Sequence, residues 1–330
     1  MWMDGEQSLR KPLARAGPEG RDPVSLWTII LAGGEGVRLR PLTRRICGDD
    51  RPKQYVPLLE ARSLLGQTLD RAARISPPER TVVVTQRRHS GYIADEFRAR
   101  PAPRVLIQPD DRGTAAGVLL PAHWIRWRDP EALVAVFPAD HLILEEDLFA
   151  RHVSAVAGYV TTHPERIVLL GARATEPETE YGWIEPGEPL GVAGGEPIFE
   201  VRRFWEKPSP EGALACLQAG SLWSTFVMVA KASALVAAGA RCLPVLHERL
   251  AGIERFAGSE HEPWAIHQAY AYAPRASFSR AVLEACPSLL AVSRLPALTW
   301  CDLGSPERVM RTLASTGLAP AWLAALGEPA

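Results

Sequence analysis

LWTIILAGGEGVRLRPL, residues Leu26–Leu42, sets an apolar run against three glycines and then two arginines. Leu26–Ala32 has the length of a buried strand, and it stops where Gly33, Gly34 and Gly36 remove the side chains. Backbone without Cβ atoms turns sharply, and its successive N–H groups can form a concavity suited to phosphate oxygens. Arg38 and Arg40 follow and can add charge-assisted bonds to an anion. Glycines alone would equally suit a plain turn between a strand and a helix. The dinucleotide fingerprint GxGxxG does not fit the string, and no GK[ST] follows to make a Walker loop.

The pattern repeats downstream. Arg80–Thr85, Arg104–Gln108, Leu133–Phe137 and Ile167–Gly171 read as short buried strands, and Ser63–Ile75, His89–Phe97, Thr114–Trp127 and Leu148–Thr162 as helices between them. Alternation of that kind predicts a mostly parallel sheet covered on both faces, with ligands beyond the carboxyl ends of the strands. The strings GGEG, QPDDRGT and PADH each follow a strand, so all three should meet on one edge. After Gly171 the pattern changes. Glu180–Pro186, Phe199–Glu206 and Trp223–Ala230 alternate more and read as mixed or antiparallel strands added to the sheet. Pro210–Gln218, Ala232–Ala238 and Ser279–Ala285 read as helices, and the tail beyond Thr312 as a small cap.

The chain has 330 residues, 37 Lys+Arg against 38 Asp+Glu, and 47% hydrophobic residues, which suits a soluble protein with a large core. A formal net charge of −1 argues against a general nucleic-acid binder, though not against a local anion site. No apolar run reaches the roughly 18 residues of a membrane span. Residues 1–24 lack a secretory apolar core and read as a flexible arm. Cys47, Cys216, Cys242, Cys286 and Cys301 form no CxxC, which suits reduced thiols in a cytoplasmic protein and points away from zinc.

The strings themselves say more than their glycines. LAGGEGVRLRPLT resembles the opening motif of the sugar-1-phosphate nucleotidylyltransferases, with Val37 in place of a small hydroxyl residue. Arg51-Pro52-Lys53-Gln54 is similar to the RPKQ of the mannose-1-phosphate guanylyltransferase branch. QPDDRGTAAG (Gln108–Gly117), FPADH (Phe137–His141), YGWIEPG (Tyr181–Gly187), RFWEKP (Arg203–Pro208) and WCDLGSPERV (Trp300–Val309) resemble further motifs of that branch, in the same order. The resemblance implies a Rossmann-like, mixed and mostly parallel α/β sheet flanked by helices, of the nucleotide-diphospho-sugar transferase type, with a small C-terminal cap region. The transferase domain would span 25–312, followed by a short extension, 313–330.

The same resemblance implies a reaction and its parts: a guanylyl group passes from GTP to α-D-mannose 1-phosphate, giving GDP-mannose and pyrophosphate. Leu31 and Ala32 lead into Gly33, Gly34 and Gly36, which would hold the triphosphate by backbone amides. Arg38 and Lys53 would neutralise the reacting phosphates. Gln108, Gly113 and Thr114 would face the base; a simple helix start is the alternative for the last two. Asp140 and Asp302 would bind Mg²⁺, with a helix cap as the alternative for Asp140. Tyr181, Gly182, Glu185, Glu206, Lys207 and Ser224 would surround the sugar and its phosphate. Glu206 and Lys207 are adjacent on a strand and point to opposite faces, so a structural role is open for one of them. Ser224 stands where the family usually has Asn, and Pro306 where Trp is common; both weaken the inference that the sugar is mannose. Longer members carry an added phosphomannose isomerase domain, so a chain of this length leads to the expectation of a single activity, and a homodimer through the C-terminal region is implied. The rival expectations are the same chemistry on another sugar or base, such as a glucose-1-phosphate thymidylyltransferase, and a silent paralogue that binds a sugar nucleotide and regulates a partner.

Overall fold

A computed structural model describes residues 25–98 and 101–327; the expected arm, 1–24, lies outside them. The opening apolar run becomes β1 (Leu26–Leu31). It is followed by β2 (Thr81–Gln86), β3 (Arg104–Gln108) and β4 (Leu133–Pro138). β1 lies between β2 and β4, with β3 beyond β2, and all four are parallel. β2 and β4 are buried throughout, which is why they read as unbroken apolar runs.

β5 (Leu142–Ile143) pairs elsewhere, as described below. The sheet continues through β6 (Ile167–Arg173), β7 (Gly182–Ala193), β8 (Glu196–Glu206), β9 (Leu222–Lys231) and β10 (Leu290–Arg294). The nine strands run in the order β3-β2-β1-β4-β9-β6-β10-β8-β7. β9 opposes both its neighbours β4 and β6, and β8 opposes β10 and β7. The sheet is therefore mixed but mostly parallel, as expected. Two features differ from the sequence reading. β9 is inserted at the sheet's centre instead of added to it, because Val227–Ala230 are all buried and fit a central strand. β10 was not anticipated: LAVSR holds only three apolar residues, too short a run to tell strand from helix.

Two cores flank the sheet. Trp27 and Ile29 of β1 pack on one face under the helices Thr114–Arg128, Ala232–Cys242, Pro244–Ala251 and Glu262–Ala271. Ile30 and Ala32 pack on the other, under Leu64–Ala73, Glu146–Thr162 and Pro210–Gln218. Each large side chain so buried contributes about 1.5–3 kcal/mol. Ser63 caps its helix, its Oγ accepting from Gly66 N at 2.9 Å. A Cβ at Gly239 would meet Leu119 Cδ2 at 2.8 Å, so glycine there lets two helices approach closely.

A third cluster joins Leu39, Leu58, Leu142, Leu303, Val309 and Trp322. It packs the helices Pro306–Thr316 and Ala321–Gly327 against the opening loop, and Trp322 Nε1 donates to Leu58 O at 3.1 Å. The first of these helices runs through residue 312, where the sequence reading divides the chain. The expected helix at Ser279–Ala285 is a π-helical turn, Ser279–Glu284.

The buried histidine His152 is a packing residue. His152 is 3% exposed, and its Nε2 lies 3.2 Å from Ser293 Oγ. Burial pushes its pKa from 6.5 down to about 4, so the folded protein holds it neutral. That stability is fully present above pH 6.5 and is lost as pH falls toward 4 and below, up to about 3 kcal/mol. Urea unfolding of His152→Gln between pH 7 and 4 should therefore show a shallower acid loss than the parent; an identical slope would remove His152 from acid sensitivity.

Candidate active site

The turns after β1, β3 and β4 meet, as expected, around a cleft of about 570 Å³ lined by Gly33, Gly34, Gln86, Gln108, Gly113, Thr114, Asp140 and Phe226. A larger cleft, about 630 Å³, is lined by Tyr55, Arg62 and Tyr92 among others. It lacks the glycine loop and Asp140, so size does not mark the site.

Side chains hold the glycine loop by its carbonyls. Gln54 Nε2 donates to Ala32 O at 3.0 Å and to Gly34 O at 2.8 Å, and Gln86 Nε2 to Gly33 O at 2.7 Å. Tyr55 Oη adds a bond to Ala32 O at 3.2 Å. No hydrogen bond among the described residues uses the amides of Gly33, Gly34, Glu35 or Gly36. With the carbonyls tied back, the N–H groups are left for an anion. Gly36 has φ +59°, and a Cβ there would meet Lys53 N at 3.0 Å. Glu35 is occupied by Arg40 at 3.0 Å and Arg88 at 2.8 Å.

Gly113 has φ +81° and ψ 177°, a region that is essentially glycine's own, and a Cβ would meet Ala276 O at 2.3 Å. The segment around Ala276 thus seals one wall. Ala276 N donates to Arg112 O at 3.0 Å, Phe278 N to Thr114 Oγ1 at 2.9 Å, and Arg275 pairs with Asp111 at 2.6 Å. Tyr270 Oη donates to Gln108 Oε1 at 3.0 Å, so the buried Gln108 keeps its NH₂ to donate.

Lys53, at 8% exposure, is the hub. Its Nζ lies 3.2 Å from Asp140 Oδ2 and donates to the backbone carbonyls of Asp302 and Leu303. A small antiparallel sheet sets this up. β11 (Trp300–Cys301) pairs with β5 in the register Cys301↔Leu142, which carries Asp302 to the level of His141. Trp300 Nε1 donates to His141 Nδ1 at 3.3 Å, so the neutral ring carries its proton on Nε2. Burial pushes His141 down to about 4. The helix after Asp140 begins at Glu146, beyond β5, so Asp140 caps nothing and the cap alternative falls away.

Asp302 Oδ1 accepts from Arg308 Nη1 at 2.6 Å, Tyr181 Oη at 2.8 Å and Gly304 N at 3.0 Å. Burial pushes this carboxyl up, but Lys53, Arg308 and His141 outweigh it and hold the group below the usual carboxylate range. Arg308 also pairs with Glu178 and lies over the Tyr181 ring, 4.7 Å from its centroid.

Around Tyr181 and the end of β8, Lys207 N donates to Tyr181 O at 3.2 Å, and its Nζ pairs with Glu180 at 3.2 Å. Arg38 pairs with the same Glu180 oxygen at 2.8 Å. Gly182 is packed between strands: a Cβ would meet Phe204 at 2.7 Å and Ser224 Cβ at 3.2 Å. Glu206 is raised by burial, and its N–H donates to Glu284 Oε1 of the π-helical turn at 3.1 Å. Glu185 lies further along β7 against Arg202, at 3.3 Å, outside the Lys53 cluster. Lys207, Phe226 and Leu303 are the non-glycine residues with positive φ among those described, and all three border these groups.

Glu180, Arg308, Glu284 and Phe226 were missed from sequence. Glu180 and Arg308 each lie inside or beside a quoted motif, where a charge in a tight turn is a signal. Glu284 and Phe226 gave none, because a π-turn and a strand irregularity have no period to read.

A family model described as Nucleotidyl transferase matches residues 27–315. A mannose-1-phosphate guanylyltransferase of Sinorhizobium fredii is 28% identical over 289 residues, covering 86% of this chain and 54% of the relative. The chain thus spans about half the length of the curated relatives it matches. A crystal structure from Thermus thermophilus, described as a mannose-1-phosphate geranyltransferase, superposes with a TM-score of 0.72 at 32% identity, covering 87% of this chain and 79% of the other. The structure of a mannose-6-phosphate isomerase from Helicobacter pylori superposes at 0.64 with 20% identity, covering 84% and 100%, which speaks to the fold alone. With a cleft of free amides at the carboxyl ends of its parallel strands and a family match over most of its length, this chain belongs to the nucleotidyl transferase family.

Proposed function

We propose that the protein joins GTP to α-D-mannose 1-phosphate, forming GDP-mannose and releasing pyrophosphate. The observation that carries the reading is the meeting of Lys53, Asp140 and Asp302 beside a loop whose carbonyls are tied back and whose amides take no hydrogen bond among the described residues. A sugar phosphate oxygen, already anionic, attacks the α-phosphorus in line; the α–β bond breaks and pyrophosphate leaves with its electron pair. The protein's task is to bring two polyanions together and neutralise the charge that develops.

In this reading Gly33, Gly34 and Gly36 cradle the triphosphate, with Leu31 and Ala32 as the strand end that aims them. Arg38 and Lys53 meet the reacting phosphates. The NH₂ of Gln108 donates to an acceptor on the guanine edge, while Gly113 and Thr114 shape that wall. Tyr181, Gly182, Glu206, Lys207 and Ser224 receive the sugar phosphate, and Glu185 a more distant part of the sugar.

Asp140 and Asp302 fit Mg²⁺. Both offer hard oxygens, Asp302 Oδ2 takes no hydrogen bond among the described residues, and no cluster of three or more such side chains there forms a closed metal cage. Mg²⁺ suits a site where one or two carboxylates are completed by substrate phosphates and water. When bound it supplies charge neutralisation at those phosphates. The cytoplasm, and a homodimer in solution, belong to the same reading. Ser224 favours one variant of it, another sugar 1-phosphate, because its hydroxyl accepts from Phe226 N and is shorter than the amide it replaces.

Pyrophosphate release should be measured for four nucleoside triphosphates against several sugar 1-phosphates with Mg²⁺. Release with GTP and mannose 1-phosphate supports the proposal. Release confined to another pair, or tight GDP-mannose binding without turnover, replaces it by one of its rivals. Asp302→Asn should cut turnover about 10²-fold or more and, by weakening the buried pair with Arg308, lower the melting temperature while the fold is retained; a fully active variant would take Asp302 out of the site.

Glu180 generates a further expectation. One of its oxygens holds both Arg38 and Lys207, which incoming phosphates must claim. Glu180→Gln should lower the KM for the sugar phosphate about two- to fivefold at low salt, the range of an exposed ion pair. An unchanged or raised KM would show that Glu180 does not compete.

A further inference from the structure

Cys242 ends the helix Ala232–Cys242, and Cys286 follows the π-helical turn Ser279–Glu284. Their Sγ atoms lie 3.0 Å apart, although the residues are 44 positions apart in sequence. Both are half-buried free thiols. Among the described residues no sulfur–sulfur contact involves Cys47, Cys216 or Cys301. A disulfide needs about 2.05 Å between its sulfurs, so bond formation asks for a shift of about 1 Å.

The position of the pair gives that bond a consequence. The chain between the two cysteines forms the helices Pro244–Ala251 and Glu262–Ala271, which pack on one face of the sheet, and returns through Arg275, Ala276 and Phe278. The returning part seals the base side of the cleft, bonded to Arg112, Ala115 and Thr114. Glu284, two residues before Cys286, holds the backbone of Glu206 on the sugar side. One wall of the cleft is thus a loop whose two ends meet at two thiols.

We propose that Cys242 and Cys286 form a reversible disulfide by exchange with a low-molecular-weight disulfide, and that this bond clamps the wall of the cleft. One protein thiolate attacks a sulfur of the small disulfide and displaces one small thiolate, leaving a mixed disulfide. The second protein thiolate attacks the protein sulfur of that mixed disulfide and displaces the other small thiolate. The two thiol protons pass to the two released thiolates, and two electrons pass from the protein to the small disulfide. Transient, regulatory disulfides of this kind occur in reducing compartments, unlike structural ones. Burial and the neighbouring Cys286 push the Cys242 thiol up to about 11, so oxidation speeds up as pH rises.

The full chain should be incubated with oxidised glutathione, alkylated and mapped by mass spectrometry, and its amide hydrogen exchange compared before and after. The expected result is loss of two alkylatable thiols, a peptide pair linked through Cys242 and Cys286, and several-fold slower exchange across Tyr270–Glu284. Dithiothreitol should reverse all three, and Cys242→Ser and Cys286→Ser, made separately, should each abolish the link. Full alkylation of both thiols after oxidation, or persistent glutathione adducts without ring closure, overturns the disulfide. A link that leaves exchange unchanged overturns the clamp. None of these readouts depends on which base or sugar the cleft takes, so they stand apart from the outcome of the substrate panel.

Discussion

A buried ammonium holds this site together. Lys53 is nearly inaccessible, and a charge taken that far from water costs several kcal/mol unless it is paired and fully hydrogen-bonded. Its partners come from chain segments far apart: the Asp140 carboxylate from the turn after β4, and the carbonyls of Asp302 and Leu303 from the turn after β11. The short β5–β11 ladder and the third apolar cluster press the same segments together from behind. Apolar packing brings the pieces near each other, and the lysine fixes how they face.

The glycine loop obeys the complementary rule. A loop at the surface of a sheet could satisfy its backbone with water in any orientation. Here two glutamines and a tyrosine claim the carbonyls, and the amides of Gly33, Gly34 and Gly36 take no hydrogen bond among the described residues. Gln54 sits next to Lys53 in sequence, so a single 3₁₀ turn, Lys53–Tyr55, supplies both the buried cation and much of the loop's anchorage.

Much of this was legible beforehand, and the reason is local. β1, β2 and β4 are buried on both faces and announce themselves as apolar runs. The turns after them carry glycine, proline and charge where the backbone geometry demands it; Gly36 and Gly113 are the clearest cases, each with positive φ and no room for a Cβ. What stayed hidden is set by tertiary context. β9 lies at the centre of the sheet because of what flanks it, which its own alternation does not reveal. The wall from Cys242 to Cys286 reads as ordinary helix and loop, and its contact with Gly113 is visible only once the chain has folded back. Arg308 looks like a surface cation at a helix start until Asp302, Glu178 and Tyr181 close around it.

These hidden contacts also explain how an almost neutral chain can hold an anion site. Arg38 and Lys207 share Glu180; Arg40 has Glu35; Lys53 has Asp140; Arg275 has Asp111; Arg308 has Asp302 and Glu178. The cleft is thus neutralised from within. A site of bare cations would attract any polyanion from a distance, and it would destabilise the fold by self-repulsion. In a paired site each cation is released only to a partner that replaces its carboxylate at close range, so the phosphate binding proposed here would be an exchange of counter-ions. The exposed pairs at Glu180 cost little to break, because water already screens them. The buried pairs at Lys53 and Arg308 would be costly to break and therefore keep their geometry while the outer pairs open. The order in which the pairs would yield follows from their burial: the exposed pairs at Glu180 before the buried ones at the aspartates.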